Sequence, residues 1–365
     1  MAITKVTTPV TGFESPVDIG LKIPVGNNFN LPTGVEGMIR NDTDENSGGT
    51  GSTTAITFYN GTDWRYFNST KSIPPIVVNF LVVAGGGGGG GLGGGGGAGG
   101  LRSSFGSSGR NTAALNNQTL VSGTAYNVTI GAAGTGGNYP AYTVGTNGGN
   151  SVFTGTTTIT ASGGGYGSTY NRSAAGGGCG GGGSHIYYPA GGVGTAGQGY
   201  NGGIADSRYP ASGGTFAAGG GGGTGTIGNS YNGGSGGNGG NGMQNAITGV
   251  NTYYAGGGGG GSYSTSPSFG NPAPGGLGGG GVGNNSSYGG AGAANKGSGG
   301  GGGGWAGSSP SQGGVGGTGV VILRYPAGFT ITKSGAGFTS STDSTTVSGY
   351  KITTFLTGSG TITFS

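Results

Sequence analysis

Of 365 residues only 6% are charged, and the chain holds one histidine and one cysteine. Each scarcity excludes something. A lone Cys179 cannot form an intrachain disulfide, and there is no C-x-x-C. A lone His185 excludes H-E-x-x-H and leaves Ser/His/Asp catalysis without a constellation. Glycoside cleavage needs two carboxyl groups in one cleft, whereas residues 77–319 contain Asp206 alone. No basic cluster or motif suggests nucleic acid. Asp42-Thr-Asp-Glu-Asn46 looks superficially like a calcium loop, but Ser47 and Thr53 stand where an EF-hand needs Gly and Glu, so a polar hairpin loop is the better reading. The chain is therefore read as non-enzymatic, with no cofactor and no metal site. Met1-Ala-Ile-Thr-Lys5 starts without the apolar region of a signal peptide, and no stretch approaches the length of a membrane helix. The expectation is a protein made in a cytoplasm and carried outside within an assembly.

What the chain has is glycine: 105 residues, with pure runs at 85–91, 93–97, 180–183, 219–223, 256–261, 278–281 and 299–304. At 31% hydrophobic content an ordinary apolar core of this size cannot be built. Low hydrophobicity signals disorder when charge is high, and here charge is low. That mismatch points to an architecture held by backbone hydrogen bonds. One flexible linker would not need so many runs with strands between them. Collagen needs glycine at every third position and much proline, against consecutive glycines and 14 prolines here. The remaining reading is a bundle of polyglycine-II helices, extended, left-handed and with three residues per turn. Each would satisfy its neighbours' N–H and C=O groups and approach too closely for any Cβ. A six-residue run spans roughly 19 Å, which predicts a slab of that thickness with loops at both ends.

The module opens on the apolar strand Phe80-Leu-Val-Val-Ala84, directly followed by glycines, and closes on Val320-Val-Ile-Leu-Arg-Tyr325. The segments Thr119–Val121, Tyr126–Ile130 and Thr156–Thr160 alternate as strands. Together with the opening and closing strands they are expected to form a sheet base from which the glycine helices project. The fold class is thus all-β plus polyglycine-II, with almost no α-helix. Its parts are an extended arm at 1–26, a small β unit at 27–76, the glycine-rich body at 77–326 and a C-terminal segment at 327–365. In the small unit, Met38–Asn41, Ala55–Tyr59 and Asp63–Phe67 read as strands, the last two joined through Asn60-Gly61. In the C-terminal segment, Tyr350–Phe355 and Gly360–Phe364 read as a hairpin around 357–360.

The opening and closing strands with the glycine-rich sequence between them, residues 79–326, resemble the glycine-rich domain of bacteriophage tail-fibre and adhesin proteins, common in phages of marine cyanobacteria and T-even-like phages. The resemblance implies a polyglycine-II sandwich whose variable loops touch the host surface. The pattern LPTGVEGMIRND…ITFYNGTDWRYF is similar to a short β-motif near the N-termini of phage fibre proteins, which implies an attachment or oligomerisation element.

Between the glycine runs lie aromatic and basic residues: Tyr139, Tyr142, Tyr170, Arg172, Tyr187, Tyr188, Arg208, Tyr209, Tyr253 and Tyr254. Tyrosine joins a broad apolar face to a hydroxyl at small entropic cost, which suits recognition loops. It also suits a cap that keeps water off the ends of a glycine core, and both roles stand open. Charge is uneven: residues 1–76 carry seven acids and five bases, and 77–319 carry five bases and one acid. A mildly basic body suits an anionic envelope or serves solubility. The reading is a virion protein, a tail-fibre or adhesin subunit. Its partners would be other virion proteins and a host envelope glycan or outer-membrane protein. It would be a homo-oligomer, a trimer by fibre habit. The alternatives are a purely structural tail or capsid fibre, or decoration protein, without a receptor, and an ice- or surface-binding protein.

Overall fold

The computed structural model describes residues 75–365 apart from 142, 171, 185–188, 206–214, 233, 265–270, 305–310 and 336. Before residue 75 it describes only the backbone of four short strands, and side chains at 215, 216, 263 and 264 are likewise outside it. The chain divides into two compact units, Met1–Ser72 and Ile73–Ser365. In the first, Val25–Gly26, Ile39–Asp42, Ala55–Tyr59 and Trp64–Tyr66 lie in that order in one sheet. Tyr59 sits opposite Trp64, the antiparallel pairing that Asn60-Gly61 predicts. Most of the 1–26 arm lies outside the described residues.

The second unit is all-β at its base. One sheet runs in the order Thr339–Asp343, Tyr350–Thr357, Val320–Pro326, Ile76–Val83, Leu101–Ser103, and Gln118–Leu120 pairs with the start of Ile76–Val83. Another runs in the order Thr158–Ala161, Ser151–Thr154, Ala125–Thr129, Ser359–Phe364, Ile331–Ser334. They pack face to face through Phe80, Val82, Val321, Leu323, Tyr325 and Phe355 on one side and Val128, Phe153, Ile362 and Phe364 on the other. Phe80 meets Phe153 at 6.2 Å and Tyr325 meets Phe364 edge-on at 5.2 Å. The first sheet is also covered on its opposite face, where Leu81, Val83, Val320 and Ile322 pack on Met243, Ile247 and Tyr254. This double burial is why Phe80–Val83 is apolar at every position instead of alternating. Each large side chain so buried contributes about 1.5–3 kcal/mol.

Two expectations change here. Tyr350–Thr357 and Ser359–Phe364 are not a hairpin. The first pairs with Val320–Pro326 and the second with Ala125–Thr129, so the chain crosses from one sheet to the other at Gly358, whose φ is +95°. The two segments have their apolar residues shared between both sheets, and a flat hairpin would have left one sheet uncovered. For the same reason residues 327–365 complete the base and are not a separate segment. The boundary drawn after Ile76 also moves, because Ile76 is fully buried at the start of a central strand.

From this base the glycine runs project as expected. Val83 and Val320 are paired, so the entering and leaving chains depart side by side. The hydrogen bonds of residues 85–90 repeat every three residues. The N–H groups of Gly85 and Gly88 donate to Gly149 and Thr146, those of Gly86 and Gly89 to Gly317 and Gly314, and those of Gly87 and Gly90 to Gly97 and Gly94. Its carbonyls accept in the same rhythm from Gly164 and Gly167, Gly134 and Gly137, and Gly300 and Gly303. Six different segments thus surround it, the signature of a threefold extended helix.

Residues 93–98 are likewise surrounded, by the segments at 85–90, 163–168, 179–183, 219–223, 256–261 and 299–303. These six also bond to one another around the ring. The cross-section, perpendicular to the thickness that run length predicts, is therefore a hexagon built in shells around 93–98. The outer shell contains segments with glycine at only some positions. In Gln312-Gly-Gly-Val-Gly-Gly-Thr318 the glycines are buried while Gln312 and Val315 are exposed. In residues 236–242, Asn238 and Asn241 are exposed between buried glycine pairs. A threefold helix on the rim turns every third residue to solvent, and only there does a side chain fit. The run at 278–281 divides: Gly278 and Gly279 form a turn with φ of +101° and +94°, and a rim helix starts after them.

A Cβ on Gly89 would sit 2.0 Å from the carbonyl oxygen of Gly301, whereas one on Gly328 would meet nothing within 4 Å. Gly89→Ala is expected to destabilise the second unit by about 3 kcal/mol or more, and Gly328→Ala to change it by less than about 0.5 kcal/mol. Denaturant unfolding of the two variants checks both.

Candidate functional site

Because residues 85–90 lead away from the sheets, their far end at Leu92 marks the distal end of the bundle. Leu92 adopts a φ of +52° to turn the chain back, and its N–H donates to Ser311 Oγ at 2.9 Å. Around this point the connections between helices are laced together. Asn138–Tyr139 pairs with Ser311–Gln312, and Thr215–Ala217 pairs with Ser262–Ser264. Connections widely separated in sequence thereby share one surface, at the end opposite the sheets.

Three of the residues singled out in the sequence meet there. The Tyr139 and Tyr170 rings lie 5.9 Å apart at an angle of 40°. Arg172 is exposed, and its N–H donates to the Thr169 carbonyl at 3.1 Å in a tight turn beside them. Tyr142, Tyr187, Tyr188, Arg208 and Tyr209 lie outside the described residues. Tyr253 and Tyr254 belong elsewhere. They sit in the strand Thr252–Tyr254, paired with Met243–Asn245 at the base, separated from the distal end by the length of residues 255–261. Tyr254 is 6% exposed, and burial pushes its phenol pKa up. The sequence alone assigns the pair to neither end, because a Tyr-Tyr beside a glycine run looks the same at either end of a helix. Only the apolar partners Met243 and Ile247 mark the base end.

Tyr288, 57% exposed, stands at the distal end in the turn where Asn284 Nδ2 donates to its carbonyl at 2.9 Å. It was not among the expected residues, and its signal would have been a lone tyrosine between two glycine-rich rim segments. Thr169, Ser184 and Ser262, at the same end, bury hydroxyls that find no hydrogen-bond partner among the described residues.

The electrostatics separate the two ends. The segments forming the bundle wall carry no charged residue. Arg102, Arg110, Lys296, Arg324, Lys333 and Lys351 all belong to the base or to turns beside it. There Arg324 lies 5.0 Å from the Phe105 ring and 4.3 Å from the Tyr350 ring, and Arg110 lies 5.1 Å from that of Tyr200. Asp343, also at the base, has its pKa lowered by hydrogen bonds from Thr346 and Thr345. Among the described residues no group of three or more His, Cys, Asp or Glu side chains is assembled for a metal. Among the described residues, too, no helix is long and apolar enough to cross a membrane. The distal end offers aromatic faces, amides, hydroxyls and a guanidinium: the means to recognise a polar surface through hydrogen bonds and stacking.

Cys179 lies where the bundle joins the base, fully buried beside Leu81, Ala98 and Leu101. Burial pushes its thiol pKa up to about 12. The folded state therefore holds the proton across the range where a free thiol ionises. Thiol-reactive dye at pH 8–9 is expected to label Cys179 only at the rate of unfolding, with full labelling in denaturant; rapid labelling of the native protein would contradict the burial.

A family model described as a glycine-rich domain matches residues 62–326. No curated protein and no solved structure matches the chain.

Proposed function

The chain belongs to the glycine-rich domain family, and on that premise we propose that it is a non-enzymatic virion protein of a bacteriophage. It serves as a tail-fibre or adhesin subunit, attaching to the particle through its N-terminal region and binding a host surface receptor through the loops of its glycine-rich body. The observation that carries the binding role is the gathering of Tyr139, Tyr170, Arg172 and Tyr288 on the end of the bundle away from the sheets. The strand motifs around the glycine-rich sequence, and the LPTGVEGMIRND pattern before it, support the phage context. A rigid, charge-free shaft that sets variable loops on one face suits an adhesin, since the loops can change without disturbing the shaft's hydrogen bonds. Affinity would come from modest contacts multiplied by copy number in an oligomer on the particle.

A structural fibre or decoration protein is the competing role. The exposed aliphatic residues Val193, Ile204, Leu277, Val282 and Val315 along the bundle wall favour it, because side-by-side packing would cover them. The test is binding of labelled full-length protein to a panel of bacteria, with Tyr139→Ala/Tyr170→Ala and Tyr288→Ala compared with Tyr253→Ala at the base. The expected result is selective binding that falls at least tenfold on changing the distal tyrosines and stays within twofold for Tyr253→Ala. Folded protein that binds no bacterium in the panel, while assembling with other virion proteins along its wall, would establish the structural role instead.

A further inference from the structure

The outer shell of the bundle is incomplete at one place. Residues 163–168 bond to the segments at 85–90, 93–98, 145–149, 175–178 and 179–183. On the sixth side no helix follows among the described residues, and the segments at 145–149 and 175–178 do not bond to each other. One helix position is therefore open along the wall as a shallow groove, floored by 163–168. The two floor N–H groups that face it, from Gly163 and Tyr166, are taken by side chains of the groove's own wall. Asn150 Oδ1 accepts from Gly163 at 2.8 Å and Asn147 Oδ1 from Tyr166 at 3.0 Å. With each Oδ1 so fixed, the orientation of each amide is set. Each Nδ2, a double donor, is left without a partner among the described residues. The two amides are three residues apart on one helix, about 9 Å along the groove. Tyr166, whose N–H meets Asn147, is half-buried. The connection from residue 168 to 174, which joins the floor to the other wall, brings Arg172 to the distal mouth next to the Tyr139–Tyr170 pair.

We propose that this groove is a saccharide-binding site, taking a linear, neutral or weakly anionic glycan chain lengthwise from the distal end; this rests on the adhesin reading and gives it a ligand class. Fixed amide donors at a repeating interval match a polymer with hydroxyl acceptors at regular spacing. The aromatic body of Tyr166 suits the C–H face of a sugar ring. The walls hold no acid to repel an anionic substituent, and Arg172 stands where one would enter. An extended peptide would need backbone groups for a ladder, and the Gly163 and Tyr166 N–H groups are already occupied by the asparagines.

The test uses full-length protein and a panel of purified neutral and acidic bacterial O-chain and capsular polysaccharides, read by surface binding. The variants are Asn147→Asp/Asn150→Asp, which keeps an oxygen acceptor for each floor N–H and removes both donors, and Tyr166→Ala. Tyr253→Ala, at the base, serves as the control, and unfolding temperature monitors the fold. The expected result is binding of at least one polysaccharide, reduced at least tenfold in both groove variants at unchanged unfolding temperature, and within twofold of the parent in the control. If no polysaccharide binds, or if the aspartate variant binds within twofold of the parent, the inference is overturned. Cell binding that survives both groove changes leaves the adhesin reading standing and removes the groove from it. Groove-dependent polysaccharide binding without binding to any cell would keep the groove and sink the adhesin reading.

Discussion

Everything in the larger unit depends on one interaction, the interhelical backbone hydrogen bond between glycine helices. Such a bond contributes about 0.5–1.5 kcal/mol net, while ordering a residue's backbone costs about 1–2 kcal/mol, and glycine is at the costly end. A single polyglycine helix therefore does not hold. What alters the balance is completeness. In residues 85–90 each N–H donates and each carbonyl accepts, and the absence of Cβ atoms allows Cα–H···O contacts worth about 0.5–1 kcal/mol apiece. The helix that contributes to six neighbours is stabilised by all of them at once, so the bundle is cooperative by construction.

The base supplies what glycine cannot. Two sheets sharing Phe80, Phe153, Tyr325, Phe355 and Phe364 provide apolar burial, and their strands fix where successive helices start. The pairing of Val83 with Val320 is the clearest instance. It sets the first and last glycine segments in register although 236 residues lie between Val83 and Val320, and the segments between fill the lattice around them. Side chains complete that lattice at its margins: Asn147, Asn150, Asn201 and Asn241 give carbonyl oxygens to N–H groups that have no backbone neighbour.

This division of labour explains the spread of charge and aromatic residues. A wall built largely of glycine has no volume for long charged side chains except outward, and its outward positions carry asparagine, threonine and aliphatic residues but no charge. Charges collect on the base, and the distal connections, which answer to no lattice, hold tyrosines and Arg172. The place where the lattice lacks one helix has the same freedom on the side of the shaft, which is why the wall there bears two exposed amides and a tyrosine.

Much of the fold was legible in the sequence. Unbroken glycine over 85–91 and 93–97 fits only a site with neighbours on every side, and the apolar strands at either end of the module marked a sheet base, although the structure divides that base into two sheets. The rim helices were less legible. Gly-Gly-Asn and Gly-Gly-Val repeats at 236–242 and 312–317 have the threefold period, but a threefold period looks like turn sequence unless the fully surrounded core is already known. What the sequence determined by itself was the material, glycine helices on an apolar sheet base, because those choices are dictated locally by the presence or absence of a Cβ. The tertiary structure alone decided the hexagonal section, the end on which each tyrosine lies, the crossing at Gly358 and the vacant position beside Asn147 and Asn150. These follow from which segments become neighbours, and every extended glycine segment offers the same donors and acceptors, so the identity of its partners is not written in its own residues.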